Sequence, residues 1–388
     1  MNHALELRAT FPRDIRRVVL NPGLLVFVAL VVNTLFQIAM AGSSWSSFQI
    51  FGVTPDWGVL AIYLVGFLVF FISYEVATVV GRKLPPFVRF RLNEHRFNML
   101  AQVLFFANVI SFVASQLAMG DAHIFNLFAG GIMAIEIQDA IKESPFGVHG
   151  ASLLVGYFAV AFWGIQLSLN QKNRWVTASI LIATLKCVAY ATAQGLLYIF
   201  FCYFALFQRE VPIRKVVFWA VAILGIFLAT RIIRNPDQTF DFGYDLILSF
   251  VFGLYFGSPV SNTSFVFQNL GDFSNPMLLL TQLLPQKLVP VPDEMIRRLP
   301  DMSSPLGLVG TAFGAGGYLI LIPYCALVGY GVGWLTRKAR MKFEYLVFSP
   351  FLLVACAFSM MYNHFLSLNS FWLPLLFCIS ICRFCRNR

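Results

Sequence analysis

Residues 306–342 read LGLVGTAFGAGGYLILIPYCALVGYGVGWLTRKARMK. No charged side chain occurs before Arg337; then Arg337, Lys338, Arg340 and Lys342 follow in quick succession. An apolar run of this length exceeds the ~20 residues that cross a hydrocarbon core of ~30 Å. Lys and Arg are held on the cytoplasmic side during insertion. The stretch therefore predicts a transmembrane helix that begins outside and ends inside.

The rest of the chain repeats this pattern. It is 59% hydrophobic and 12% charged, whereas a soluble domain is about half apolar and about a quarter charged. The expected fold is all-α: a polytopic transmembrane helical bundle of about ten spans, one integral membrane domain over 1–388. The spans fall at 19–41, 57–80, 98–119, 147–169, 175–191, 192–207, 216–230, 306–335, 345–363 and 366–383. Residues 1–41 imitate a signal peptide, with Arg13, Arg16 and Arg17 before an apolar run. That run is too long for a cleaved segment and reads as the first span.

Charge then orients the bundle. The stretches 1–18, 81–96, 170–175, 208–215, 336–344 and 383–388 carry about 21 of the 28 basic residues, so they and both termini are expected to be cytoplasmic. The net charge of +10 follows from this sorting, since anionic headgroups attract it, and it implies no nucleic-acid partner. The 42 Phe are expected to face lipid for the most part, because packed membrane interfaces favour small residues. The seven Cys avoid the long outer loop and predict no disulfide framework. Cys382 and Cys385 form a lone C-x-x-C with no second pair to complete a metal site.

One polar segment, 231–305, stands alone outside and is expected to be a large periplasmic loop. Within it, 244–257 is apolar but short, and fits an in-plane or re-entrant helix; the alternative is an eleventh full span paired with a weak one near 276–285. Phe128–Ala140 in the other outer segment, 120–146, is a second candidate half-helix. Arg231 and Arg234 open the long loop; Arg297 and Arg298 close it. Paired guanidinium forks suit a pyrophosphate at the membrane boundary, although arginines there also serve as anchors. Lys186 lies at least halfway across the membrane, where a charge marks either a site or a structural pair with a carboxylate such as Glu136 or Asp139. Gln194 lies nearby. His364 sits in an outer turn, as a general base or as a solvated side chain. Asp245, Asp241, Asp301 and Glu294 are other possible bases. No metal-ligand cluster, Walker loop, dinucleotide fingerprint or serine-hydrolase motif is present, so no cofactor or metal is expected.

Three stretches resemble the O-antigen (oligosaccharide repeat-unit) polymerases of bacterial inner membranes. They are the hairpin Leu181–Phe207 with Ala193-Gln194-Gly195 at its turn, the stretch Tyr255-Phe256-Gly257-Ser258-Pro259-Val260-Ser261-Asn262, and the glycine-studded Pro305–Arg337. The likeness covers about 181–383. Family members often carry an arginine where this chain has Gln194, with Lys186 as the possible substitute charge. The resemblance implies a GT-C-like glycosyltransferase that moves a glycan from undecaprenyl pyrophosphate to the next lipid-linked repeat unit. A chain-length regulator would be a possible partner. Lys186, Gln194, Arg231, Arg234, Tyr255, Asn262, Arg297 and Arg298 would bind substrate. His364, Asp245 or Asp301 would act as base. An O-antigen ligase and a flippase for lipid-linked oligosaccharides are the rival readings, and a solute channel is the plain one.

Overall fold

The computed structural model describes residues 21–41, 57–79, 90–120, 147–190, 193–207, 258–270 and 306–387, with single positions between 214 and 225 and at 276 and 279. Among these the chain is helical and no β-strand occurs. The helices are α1 (Pro22–Ala41), α2 (Trp57–Val79), α3 (Glu94–Ala118), α4 (Val148–Ser168), α5 (Arg174–Ala189), α6 (Ala193–Cys202), α7 (Ser258–Gln268), α8 (Gly307–Ala339), α9 (Phe343–Ala357) and α10 (Leu373–Phe384). A π-helical turn, Tyr203–Phe207, extends α6, and another, Leu368–Trp372, leads into α10. Polar caps fix the starts of α3 and α5. The Asn93 side chain accepts from the Arg96 amide, and Asn173 accepts from the amides of Trp175 and Val176.

Among the described residues, four helices are long and apolar enough to cross a membrane: α2 from Gly58, α3, α4 and α8. Their relative directions come from paired contacts. Asn173 donates to Asn98, Asn108 to the Ser179 carbonyl, and Ser115 meets Tyr190. Residue numbers rise together, so α3 and α5 are parallel, with α4 antiparallel between them through Ser115 and His149. Likewise Gly329 lies against the Phe70 carbonyl and Gly333 against that of Tyr74, so α2 and the lower part of α8 run in parallel. Both results match the alternation expected of spans three to five and of spans two and eight. Glycine is needed at 329 and 333 because any Cβ there would strike backbone, the close approach typical of membrane helix pairs.

Among the described residues, one end of the bundle holds Arg91, Arg96, Arg174, Lys342, Arg383 and Arg386. Leu92 bridges Arg386, the Asn93 amide donates to the Cys385 carbonyl at 2.7 Å, and Arg96 reaches the Phe384 carbonyl at 3.2 Å. The Phe90 and Phe343 rings stack at 4.2 Å. The start of α3, the end of α10 and the starts of α5 and α9 are thus level. From that plane α3 rises about 37 Å, but α5 only about 24 Å and α9 about 22 Å at 1.5 Å per residue. The short helices make a floor, and the space above it must be filled by other segments.

Part of that space is filled by α8, and the expected single span at 306–335 is corrected here. A Cβ on Gly66 would meet Val309 Cγ2 at 2.8 Å and Leu321 Cδ1 at 3.3 Å. A straight helix would separate residues 309 and 321 by about 18 Å. The helix instead folds back at Gly316 and Gly317, where Gly317 has φ 61° and ψ −149°, a conformation open to glycine and costly to other residues. Residues 307–315 rise from the floor as a half-helix, and 318–339 return as a full-length span of about 33 Å. The half-helix is buried on every side, while Leu319 and Leu327 on the span are 87% and 72% exposed.

The core also corrects the expectation for phenylalanine. Phe67, Phe70, Phe97, Phe162, Phe201, Phe204, Phe313, Phe343, Phe348 and Phe351 are buried. Rings fill the wide gaps between helices that glycine does not draw together, as where Phe158 and Phe377 stack at 3.9 Å. All seven cysteines are free and buried, in line with the expected lack of disulfides.

Candidate functional site

The end opposite the basic plane is built around the half-helix 307–315. Gly307 has φ 64° and presses on the Met360 carbonyl; the Leu308 amide donates to the Ser359 carbonyl at 2.7 Å. The connection after α9 is therefore bolted to the start of α8. Gly310 faces Thr263 on α7, whose hydroxyl shares a hydrogen bond of 2.9 Å with Tyr63 on α2. Phe267 covers Gly58 and approaches Phe313. Thus α2, α7, the half-helix and the turn after α9 form one packed unit.

Two candidate residues border this unit. Asn262 on α7 is fully buried beside Thr263. His364 starts a 3-10 turn, His364–Leu366, and is 8% exposed. The solvated histidine considered from sequence is thereby replaced by a buried one. Its ring lies edge-on to Phe358 at 5.6 Å and near-parallel to Tyr362 at 5.5 Å. Burial holds its pKa down at about 4, from an ordinary 6.5, because desolvation penalises the imidazolium. Its Nε2 is buried without a hydrogen-bond partner among the described residues. Next to it, the Asn363 amide pairs with the Tyr324 hydroxyl at 2.8 Å, tying the turn to the spanning part of α8.

Gln194 connects to the same region through a relay. It donates to the Tyr198 hydroxyl at 2.6 Å, and Tyr198 donates to the Ser370 carbonyl at 3.0 Å, just before α10. Gly195 of the quoted Ala193-Gln194-Gly195 turn lies hard against the Cys187 sulfur, so the glycine sets how closely α5 and α6 pack.

Lys186 stands apart from this unit. It is 1% exposed in the bundle of α3, α4 and α5. Its ammonium donates to Asn108 Oδ1, to Ser111 Oγ at 2.9 Å and to the Ser152 carbonyl at 2.9 Å. All three of its N–H groups are engaged by neutral oxygens, and no carboxylate is among these partners. Arg231, Arg234, Asp241, Asp245, Tyr255, Glu294, Arg297, Arg298 and Asp301 lie outside the described residues, as do Glu136, Asp139 and the proposed half-helices at 244–257 and Phe128–Ala140.

Sequence reading passed over the residues around Lys186. Asn108, Ser111 and Ser115 recur at one-turn and two-turn spacing along an otherwise apolar helix. That polar stripe is the signal that would have found them. Comparison with known proteins returns no match: no family model, no curated protein and no solved structure is similar to this chain.

Proposed function

We propose that this chain is a glycosyltransferase of a bacterial inner membrane that polymerises undecaprenyl-pyrophosphate-linked oligosaccharide repeat units at the periplasmic face. In this reading it is a GT-C-like bundle of about ten spans with its basic end in the cytoplasm and 231–305 outside. The observation that carries it is the packed unit opposite the basic end. There the half-helix 307–315 emerges directly from the segment 231–305, α7 lies within that segment, and His364, with its buried Nε2, follows the turn after α9 whose Ser359 and Met360 carbonyls hold the start of the half-helix. Arg297 and Arg298 precede Gly307 by about ten residues or fewer, within ~30 Å of extended chain. They can thus reach a pyrophosphate held above the half-helix.

The chemistry needs no metal. The acceptor hydroxyl gives its proton to a base, its oxygen bonds to the anomeric carbon, and undecaprenyl pyrophosphate leaves with the bonding pair. Cationic side chains aimed at the leaving group stabilise its developing charge. Arg231, Arg234, Arg297 and Arg298 are assigned that role, with Tyr255 and Asn262 toward the glycan and His364, Asp245 or Asp301 as base. Lys186 and Gln194 support the floor beneath.

A broken helix also occurs in secondary transporters, where half-helices frame midplane sites, and α8 is broken. This favours a flippase of lipid-linked oligosaccharides as the second reading. The lipopolysaccharide ladder of a deletion strain tests both. One repeat unit per core supports the polymerase. No repeat on the core indicates a flippase or a ligase, and an unchanged ladder rejects all three.

A further inference from the structure

The Lys186 cage has a property that a purely structural clamp does not require. Asn108 Nδ2 donates to the Ser179 carbonyl at 2.9 Å. Its Oδ1 is thereby fixed toward Lys186 as an acceptor, and the Ser152 carbonyl can only accept. Ser111 is different. Its hydroxyl accepts from Lys186 at 2.9 Å while donating to the Asn108 carbonyl at 3.1 Å. A hydroxyl can reverse that role by rotating its hydrogen.

Both protonation states of the amine therefore find a complete set of partners. The ammonium donates three hydrogen bonds, as seen. The neutral amine would donate two, to Asn108 Oδ1 and the Ser152 carbonyl, and accept one from Ser111 Oγ–H. Neither state leaves a buried polar group of the cage without a partner, the condition that ordinarily makes one state prohibitive. Only the Ser111 hydroxyl hydrogen has to move.

Lys186 bonds the Ser152 carbonyl, and the hydroxyl of the same residue begins a row of polar groups that leads toward the end opposite the basic plane. The Ser152 hydroxyl lies 3.3 Å from the Tyr190 hydroxyl, Tyr190 meets Ser115 Oγ, and Ser115 Oγ lies 2.6 Å from His149 Nδ1. Serine and tyrosine hydroxyls both donate and accept, so they can pass a proton along. His149 lies one turn from the start of α4, at the far end of the row, and its Nε2 is buried without a partner among the described residues. A cavity of about 10 Å³ adjoins Lys186, lined by Tyr157, Cys187 and Gly195 among others; that is room for about one water.

We propose that Lys186 is a proton-exchange site: rotation of the Ser152 side chain brings its hydroxyl to Nζ, and the proton passes by way of Ser152, Tyr190, Ser115 and His149 toward the non-basic end. On release, the proton leaves Nζ for the aqueous phase at that end, the amine keeps the electron pair, and Ser111 turns its hydrogen toward it. The titratable groups facing the cage are His149 and Tyr157 from α4, and Cys187 and Tyr190 from α5. Helix α3 presents only Asn108, Ser111 and Ser115.

The full-length protein, labelled with [ζ-15N]lysine and held in lipid nanodiscs, provides the test by nitrogen NMR. The signal lost in Lys186→Arg identifies Nζ. It should pass from ammonium to amine in a transition separate from that of Lys338 and Lys342. Its hydrogen exchange should slow at least tenfold in Tyr190→Phe. Ser111→Ala, which removes the reversible partner, should displace the transition. A signal that stays in one form wherever the protein is folded, or that titrates with the surface lysines, would overturn the exchange site. Unchanged exchange in Tyr190→Phe would overturn the path. Size-exclusion profiles separate these outcomes from misfolding.

Discussion

Val309 and Leu321 stand side by side against Gly66, although a full turn-and-return of chain separates them. Their methyls lie 2.8 Å and 3.3 Å from the place a Gly66 Cβ would occupy. This contact turns a long apolar run into a hairpin, and it gives the non-basic end its buried half-helix. Gly66→Leu should therefore destabilise the protein by about 1–3 kcal/mol through overpacking. Gly317→Val should cost about 1–3 kcal/mol, because φ 61° with ψ −149° is a backbone region essentially reserved for glycine. Unfolding in mixed micelles measures both. Wild-type stability in the two variants would mean that α8 is not folded back.

Asn108 and Lys186 should prove coupled. Asn108→Leu leaves a buried ammonium short of one acceptor and should cost about 1.5–3 kcal/mol. Lys186→Met removes the charge and fills similar volume, so its cost should be smaller. The double variant should then be more stable than Asn108→Leu alone. A double-mutant cycle with no interaction energy would count against the cage.

Stability should fall in acid because of His364. Its folded pKa, about 4, lies below the ordinary 6.5. Between those values the unfolded chain binds more protons, so the contribution is complete above pH 6.5 and lost as pH falls toward 4. The full loss is on the order of 3 kcal/mol. Melting temperatures from pH 7.5 to 4.5 should drop more in the wild type than in His364→Phe. If His364 is also the base, transfer activity should persist to about pH 5, and His364→Ala should be inactive.

Topology follows from the charge sorting. In a cysteine-free background, Gln268→Cys and Lys287→Cys should react with an impermeant thiol reagent in intact spheroplasts, and Ala339→Cys should not. The reverse pattern would invert the molecule.

The outer arginines should act together. Arg231→Ala or Arg297→Ala should abolish long glycan chains without loss of membrane protein, and Arg→Lys should also be costly because the fork is lost. Purified protein should polymerise lipid-linked repeat units in EDTA. Normal chain length in the alanine variants would leave the arginines as anchors.

The positions of the described helices other than α7, the alternation of helix directions and the separation of a basic end were legible in the chain, because each depends on local quantities; α7 begins at Ser258, where the sequence signalled only a helix end. Apolar length sets where a helix can form, and the density of Lys and Arg sets which end is basic. Three features depended on groups far apart in sequence and needed the tertiary structure. The glycines of Pro305–Arg337 looked like those of a straight span; only the packing of Val309 and Leu321 on Gly66 showed a hairpin, since a glycine permits a reversal without requiring one. His364 looked like a residue of a wet turn, until Phe358 and Tyr362 closed over it. Lys186 looked like a charge in search of a carboxylate, whereas Asn108 on α3 and Ser152 on α4 supply neutral oxygens instead. A buried cation needs only enough acceptors within reach, and which helices bring them is decided by packing.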